Sequence, residues 1–576
     1  MYDKKIRLKY GIQEQPPLLI TIGLGLQYVM LSVSGLLFPV ILLSKTCSLN
    51  LRQTEYLFFA TIIVSAVSTL LQIRRFRNLG SGYLMILGPS GTFIGSSISA
   101  VQLGGLPLMA TMTLLSAPFE WLMARSLRHI RKLLTPALAG TVIMTIPILI
   151  IPLVMPMWAE SDPLSPTMMP NFLAGLAAFA VVLIANMQSR AMLKLWAPAI
   201  SIAGGLIIST FYGLPNWQNM QSAAWFSLPP NAWPGLELNL GWQHVPLFIT
   251  FILATISSGI ETFGDTIALQ KVSEGKLEHI DYKRIQGGLN IDTLGSAMAG
   301  TMGTFANTTY SDIMPIIQLT RVASRVVGYA AGLIFIVLAF MPKFMHFFLA
   351  VPDAVMGGLT IALLLILFIE GFKVAIFRGV NTESGMIIGS GLIFAFIAAS
   401  NQFFPALFPQ SFEPITGNAI TVGSIVALGL NIYFVYRPRK SDDFRASADG
   451  QHISKLQKHI ESLKEPLSFT EKEIFALQLT AEEIFLHFQE ELKVDDLIHY
   501  RWKPETDSIF VEISHTAPGR YLSIPENFPK SAHLDSETLS QLGLRLLSRT
   551  ARNIIHSKIS GYNYLEYEIP RERDAE

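Results

Sequence analysis

FITFILATISSGIETFGDTIALQ, residues 248–270, is an apolar run long enough to cross a bilayer, and it carries two acids, Glu261 and Asp265, four residues apart. That spacing puts both on one face of a helix. After a short basic turn the chain returns to apolar sequence and reaches FANTTYSDIMPIIQLTRVASR, residues 305–325, where Asp312 and Pro315 interrupt a run of small and hydroxyl residues. An acid at membrane depth is costly and defaults to a functional reading when it faces an interior cavity. Segments broken by Gly or Pro are where transporters expose backbone to a substrate. The two segments together read as the centre of a transport site.

Composition agrees with this. Of 576 residues 51% are hydrophobic and 15% charged, which points to a polytopic membrane protein. The formal net charge of +1 gives no footprint for a nucleic-acid partner. Cys47, the single cysteine, has no partner for an intrachain disulfide or a metal site, and no cofactor is implied. The uncharged run from Gln15 to Ser44 exceeds the about 7 to 15 apolar residues of a signal peptide, so it is expected to be the first membrane helix.

Apolar stretches of about 20 residues predict an all-α polytopic protein of fourteen spans: 17–43, 56–73, 83–100, 104–124, 134–155, 171–187, 195–212, 246–268, 288–304, 308–323, 326–346, 353–376, 384–400 and 416–436. The third and tenth are short and rich in Gly, Ser, Thr or Pro, and are expected to be half extended. They fall at matching positions if the chain divides seven plus seven, the mark of an inverted repeat. With the N-terminus inside, the inner loops hold the Lys and Arg, while the outer loops 156–170, 213–245 and 401–415 hold none. This predicts an integral plasma (inner) membrane protein with both termini cytoplasmic.

Beyond Tyr436 the sequence turns polar. Residues 437–455 read as a linker and 456–576 as a cytoplasmic α/β domain: LSFTEKEIFALQLTAEEIFLHFQEEL and LSQLGLRLLSRTARNII have helical spacing, SIFVEIS and YNYLEYEI that of strands. This region faintly resembles the anti-sigma-factor-like branch of histidine-kinase-type ATPase domains. The family's magnesium-binding Asn falls on His487, behind Glu482 and Glu483, and its Asp-x-Gly box on His515 to Ala517. A degenerate, regulatory or docking module with an unknown cytoplasmic partner is the better reading.

Several motifs, in order, carry a stronger resemblance: GLQYVMLSVSGLLFPV (25–40), GYLMILGPSGTFI (82–94), LLTPALAGTVI (133–143), ETFGDTIALQ (261–270), GGLNIDTLGSAMAGTMGTFANTTYSD (287–312), LTRVASRVVGYAAG (319–332) and VPDAVMGGLTIALL (351–364). Over residues 15–436 the chain resembles the nucleobase-ascorbate transporters, also called xanthine/uracil permeases or nucleobase:cation symporters 2. The resemblance implies a core domain of spans 1–4 and 8–11 moving, elevator-like, against a gate domain of spans 5–7 and 12–14, in a homodimer. It implies that Glu261 hydrogen-bonds the base, that Asp265 supports the site or the coupling of a cation, and that Asp292 matches the acid of span 9. Where the family's span 10 has Gln or Glu, then Asn, a variable residue and Gly, this chain has Asp312, Ile313, Met314 and Pro315. Tyr28 stands at the usual His of span 1, and Gly91 where span 3 commonly has an aromatic. The substrate cannot be copied from relatives on that basis.

The expected substrate-binding set is Glu261, Asp312, Ser311, Tyr28 and Gly91, with Asp265 and Asp292 in proton coupling or support. A carboxylate accepts two ring N–H donors, and backbone N–H groups of a broken segment serve ring carbonyls. Glu261 and Asp312 are therefore expected to grip opposite edges of one base. Either acid can load and release a proton, and a proton is preferred to sodium, which needs more converging oxygens. Alternatives stay open: Asp312 as a cap of the broken helix, Asp265 as a helix–helix hydrogen bond, Asp292 as structural, Tyr28 as packing. At the level of function the alternatives are a sulfate-permease-type anion carrier and a non-transporting sensor. The chain is not expected to be an enzyme.

Overall fold

The computed structural model describes residues 8–126, 133, 135–158, 165, 167–188, 191–214, 217–274, 280–310, 313–376, 379–400, 403–404, 407–409, 412–437, 442–447, 452–491, 497–504, 508–515, 550–559 and 562–571. They group into two compact units, Met1–Lys276 with Arg284–Val435, and Leu277–Lys283 with Tyr436–Glu576.

The first unit is helical. Its helices of eight residues or more are α1 (Leu18–Thr46), α2 (Leu51–Ile73), α3 (Ile94–Arg125), α4 (Pro136–Trp158), α5 (Met168–Met187), α6 (Ala191–Phe211), α7 (Val245–Glu274), α8 (Tyr282–Met302), α9 (Ile313–Thr320), α10 (Arg325–Ala339), α11 (Pro342–Ala350), α12 (Asp353–Ala375), α13 (Thr382–Ala399) and α14 (Ala419–Tyr436). Among the described residues nine helices are long and apolar enough to cross a membrane. α3 is broken at Gly104 and Gly105, the latter at φ 73°, so two expected spans run through it. Span 11, expected as one helix, is two: α10 and α11 meet at 82°. Pro342 opens α11, and a proline excludes its predecessor from the helical region, so the apolar run cannot continue straight.

Packing sorts ten of these helices into two sets. α12 packs on α4 and α5, α5 on α6, and α13 on α4; separately, α10 packs on α1 and α2, and α3 on α7. In the first set the contact is backbone to backbone: a Cβ on Gly358 would run into the carbonyl oxygen of Gly175. Small residues allow this approach, which is how helices gain contact where lipid is as apolar as the side chains.

The second unit is built on a six-stranded sheet of order β2-β7-β8-β6-β5-β4. Its strands are β2 (Ile280–Asp281), β4 (Asp442–Ser447), β5 (Leu497–Pro504), β6 (Ser508–His515), β7 (Arg552–Ile559) and β8 (Tyr562–Pro570). Pairing is antiparallel except between β2 and β7. Alternate residues Tyr500 and Trp502, Val511 and Ile513, and Leu565 and Tyr567 are buried, the period-two pattern of a sheet with one covered face. α15 (His452–Ser462) packs on α16 (Glu471–Glu491), whose Leu477, Ala481, Ile484 and Phe485 are buried at helical spacing.

Two expectations are corrected in this unit. Residues 442–447, assigned to the linker, form edge strand β4 against β5. Arg552 to Ile555, read as the end of an amphipathic helix, lie in β7, because the partner strand β8 is at hand to pair them. Of the positions compared with ATPase motifs, His515 is buried at the end of β6; Ala517 and the His487 side chain lie outside the described residues.

Candidate substrate site

β1 (Leu87–Pro89) and β3 (Asn307–Thr309) pair antiparallel in the middle of the first unit, Leu87 against Thr309 and Pro89 against Asn307. The ladder continues outward through Ser90 N–H to the Ala306 carbonyl (2.8 Å) and Tyr310 N–H to that of Ile86 (3.0 Å). So short a ladder does not hold by itself. Neighbouring side chains clamp it: the Leu87 N–H donates to the Thr69 hydroxyl at 3.0 Å, and the Asn307 amide to the Ser68 hydroxyl at 3.2 Å. Gly88 is required, since a Cβ would meet the Tyr310 ring and hydroxyl, which donates to the Pro89 carbonyl at 3.2 Å.

Each strand precedes a helix in the chain, β1 through the 3-10 turn Gly91–Phe93 into α3, and β3 followed by α9. Because the strands are antiparallel, the two helix starts flank the ladder, one at each end. Helix starts present unpaired N–H groups and the positive end of the dipole. The spans expected to be half extended are therefore strand plus helix.

α7 packs against β3 and the Gly91 turn. From it Asp265 accepts a hydrogen bond from the Thr309 hydroxyl at 2.8 Å. Thr262, one turn earlier, donates to Asp292 Oδ2 of α8, and its oxygen is 3.3 Å from the hydroxyls of both Thr308 and Thr309. Asp265, Thr309, Thr262 and Asp292 thus form one polar seam from the crossed strands into the protein. Glu261 is half-buried on the same helix.

The remaining expected residues differ. Tyr28 is buried in the apolar core, and its hydroxyl has no partner among the described residues. Gly91 faces α4, where a Cβ would lie 3.3 Å from Ile146. Ser311 and Asp312 lie outside the described residues. Sequence reasoning passed over Glu120, which is buried in the second part of α3. The signal was available: a single acid inside span 4 meets the same membrane-depth criterion that singled out Glu261.

An acid on an apolar helix, tied to paired strands that interrupt two other apolar segments, is the arrangement of a polytopic membrane carrier. The chain belongs to the xanthine/uracil permease family, the nucleobase-ascorbate transporters: the family model, described as a permease family, matches residues 19–403. It is a transporter and not an enzyme. Similar proteins include the nucleobase transporter PlUacP of Paenibacillus larvae, 28% identical over 75% of this chain and 98% of that protein, and the xanthine permease XanP of Escherichia coli K12, 26% identical over 74% and 94%. Among solved structures, the transmembrane domain of the cyanobacterium bicarbonate transporter BicA aligns at 14% identity and TM-score 0.44, over 74% of this chain and all of that one.

Proposed function

We propose that this chain carries a purine or pyrimidine base across the plasma (inner) membrane by proton symport, with α1–α3 and α7–α11 moving as a core against a gate of α4–α6 and α12–α14. The observation that carries this reading is the bond from Thr309 to Asp265, which ties the acidic helix to the broken segment at the crossed strands. A base offers adjacent N–H donors and carbonyls; Glu261 accepts the donors, and the helix starts beside β1 and β3 serve the carbonyls. The two packing sets of helices support the division into core and gate. The names of the relatives, xanthine and nucleobase permeases, favour a base over the anion of a sulfate-permease-type carrier.

In this reading the chain crosses the membrane fourteen times in a seven-plus-seven inverted repeat, forms a homodimer, and keeps both termini in the cytoplasm. Its second unit serves there as a docking or regulatory module. The test is uptake of labelled uracil, xanthine, uric acid and adenine by cells expressing the wild type or Glu261→Gln, with and without a proton uncoupler. Saturable uptake of one base, lost in the variant and with the uncoupler, is expected. Uptake of none, with the protein verified in the membrane, would contradict the reading.

A further inference from the structure

Glu120, on α3, is 1% exposed and Asp292, on α8, 0%. Their carboxyls lie within hydrogen-bonding range of each other. Each keeps one oxygen, Glu120 Oε1 and Asp292 Oδ1, that has no hydrogen-bond partner among the described residues. Glu120 lies against α7 at Gly259: a Cβ there would run into the end of the Met123 side chain and sit 3.6 Å from Glu120 Oε1. Thr262 follows Gly259 by three residues, hence on the same face, and donates to the other Asp292 oxygen. Two bare carboxylates side by side in a medium of low dielectric repel. One proton on the pair removes one of the two charges and supplies a donor that two carboxylates together lack.

We infer that Glu120 and Asp292 form a carboxyl pair that binds the coupled proton between them, and that the hydroxyls of Thr262 and Thr309 pass it to and from Asp265 beside the crossed strands. The inference rests on the proton-coupled reading above and gives the proton a place. On loading, the acid proton of Asp265 goes to Thr309 Oγ1, the Thr309 hydroxyl proton to Thr262 Oγ1 across 3.3 Å, and the Thr262 proton to Asp292 Oδ2. Three O–H bonds break and three form. Asp265 is left ionised, and Asp292, protonated, relieves the repulsion of its neighbour Glu120. Among the described residues the acids around the seam are Glu120 on α3, Glu261 and Asp265 on α7, and Asp292 on α8; α4, which also packs on α3, has no titratable side chain.

Purified protein in liposomes tests this with labelled xanthine and uracil as probes. A pH gradient of about one unit, acid outside, supports about tenfold accumulation per coupled proton. Glu120→Gln offers Asp292 an N–H donor without a proton to exchange. It should keep exchange of labelled for unlabelled base at equal pH, lose accumulation to a ratio of about one, and lose base-driven proton entry. Accumulation and proton entry at the wild-type level would overturn the inference. So would loss of exchange in a variant that melts like the wild type, since Glu120 would then act in passage of the base. Infrared spectroscopy of the wild type keeps the test open if the variant does not fold. A protonated-carboxyl band at neutral pH that changes when the base is added is expected, and no such band would overturn the pair. A wild type that moves the base without protons overturns the symport reading instead, and the same band then decides the pair separately.

Discussion

Asp265 accepts from Thr309 and Asp292 from Thr262, so two hydroxyls connect α7, α8 and the crossed strands. A hydrogen bond to a charged group contributes about 1.5–3 kcal/mol. Thr309→Val should therefore slow uptake at low substrate by about tenfold or more, while Thr309→Ser stays near the wild type; initial rates of labelled-base uptake measure both. The i, i+4 placement of Glu261 and Asp265 on one apolar helix was legible because it is a local pattern. The seam that joins Asp265 to Asp292 was not, because it forms between residues far apart in the chain, which only packing brings together.

At the scale of elements, the crossing of β1 and β3 depends on Gly88. A side chain there would press on Tyr310, and overpacking costs about 1–3 kcal/mol. Gly88→Val should lower the melting temperature and abolish uptake. Gly429→Ala on α14, where a Cβ meets nothing within 4 Å, should change neither; thermal melts in detergent paired with uptake assays separate the two. Gly, Pro and hydroxyl residues made the broken spans readable in the sequence. The 82° bend between α10 and α11 was hidden because the apolar run continues across Pro342. Edge strand β4, DDFRAS, was hidden for another reason: an edge strand is polar and carries no core-facing alternation. Arg552 to Ile555 could be read either way, since a short apolar run fits a helix end as well as a strand.

The whole molecule is two units with separate cores. In the second, Tyr500 and Trp502 are buried and stack at 5.8 Å between ring centroids, and truncating a buried Trp costs about 3–5 kcal/mol. Trp502→Ala should expose the second unit to protease and hydrogen exchange while the helices around β1 and β3 stay protected; mass-spectrometric exchange reads both regions at once. The membrane helices were legible because bilayer thickness sets a length that hydropathy reports, whereas the sheet order of the second unit depends on pairings that no local pattern encodes. Movement of a base together with a proton through an acid-lined site on broken helices can be followed in one experiment: purified protein in liposomes with a trapped pH dye, and labelled xanthine or uracil added outside. Label and acid should enter together in the wild type, and neither should enter with Glu261→Gln. Entry of label with no change in internal pH, or equal entry in both proteins, would contradict it.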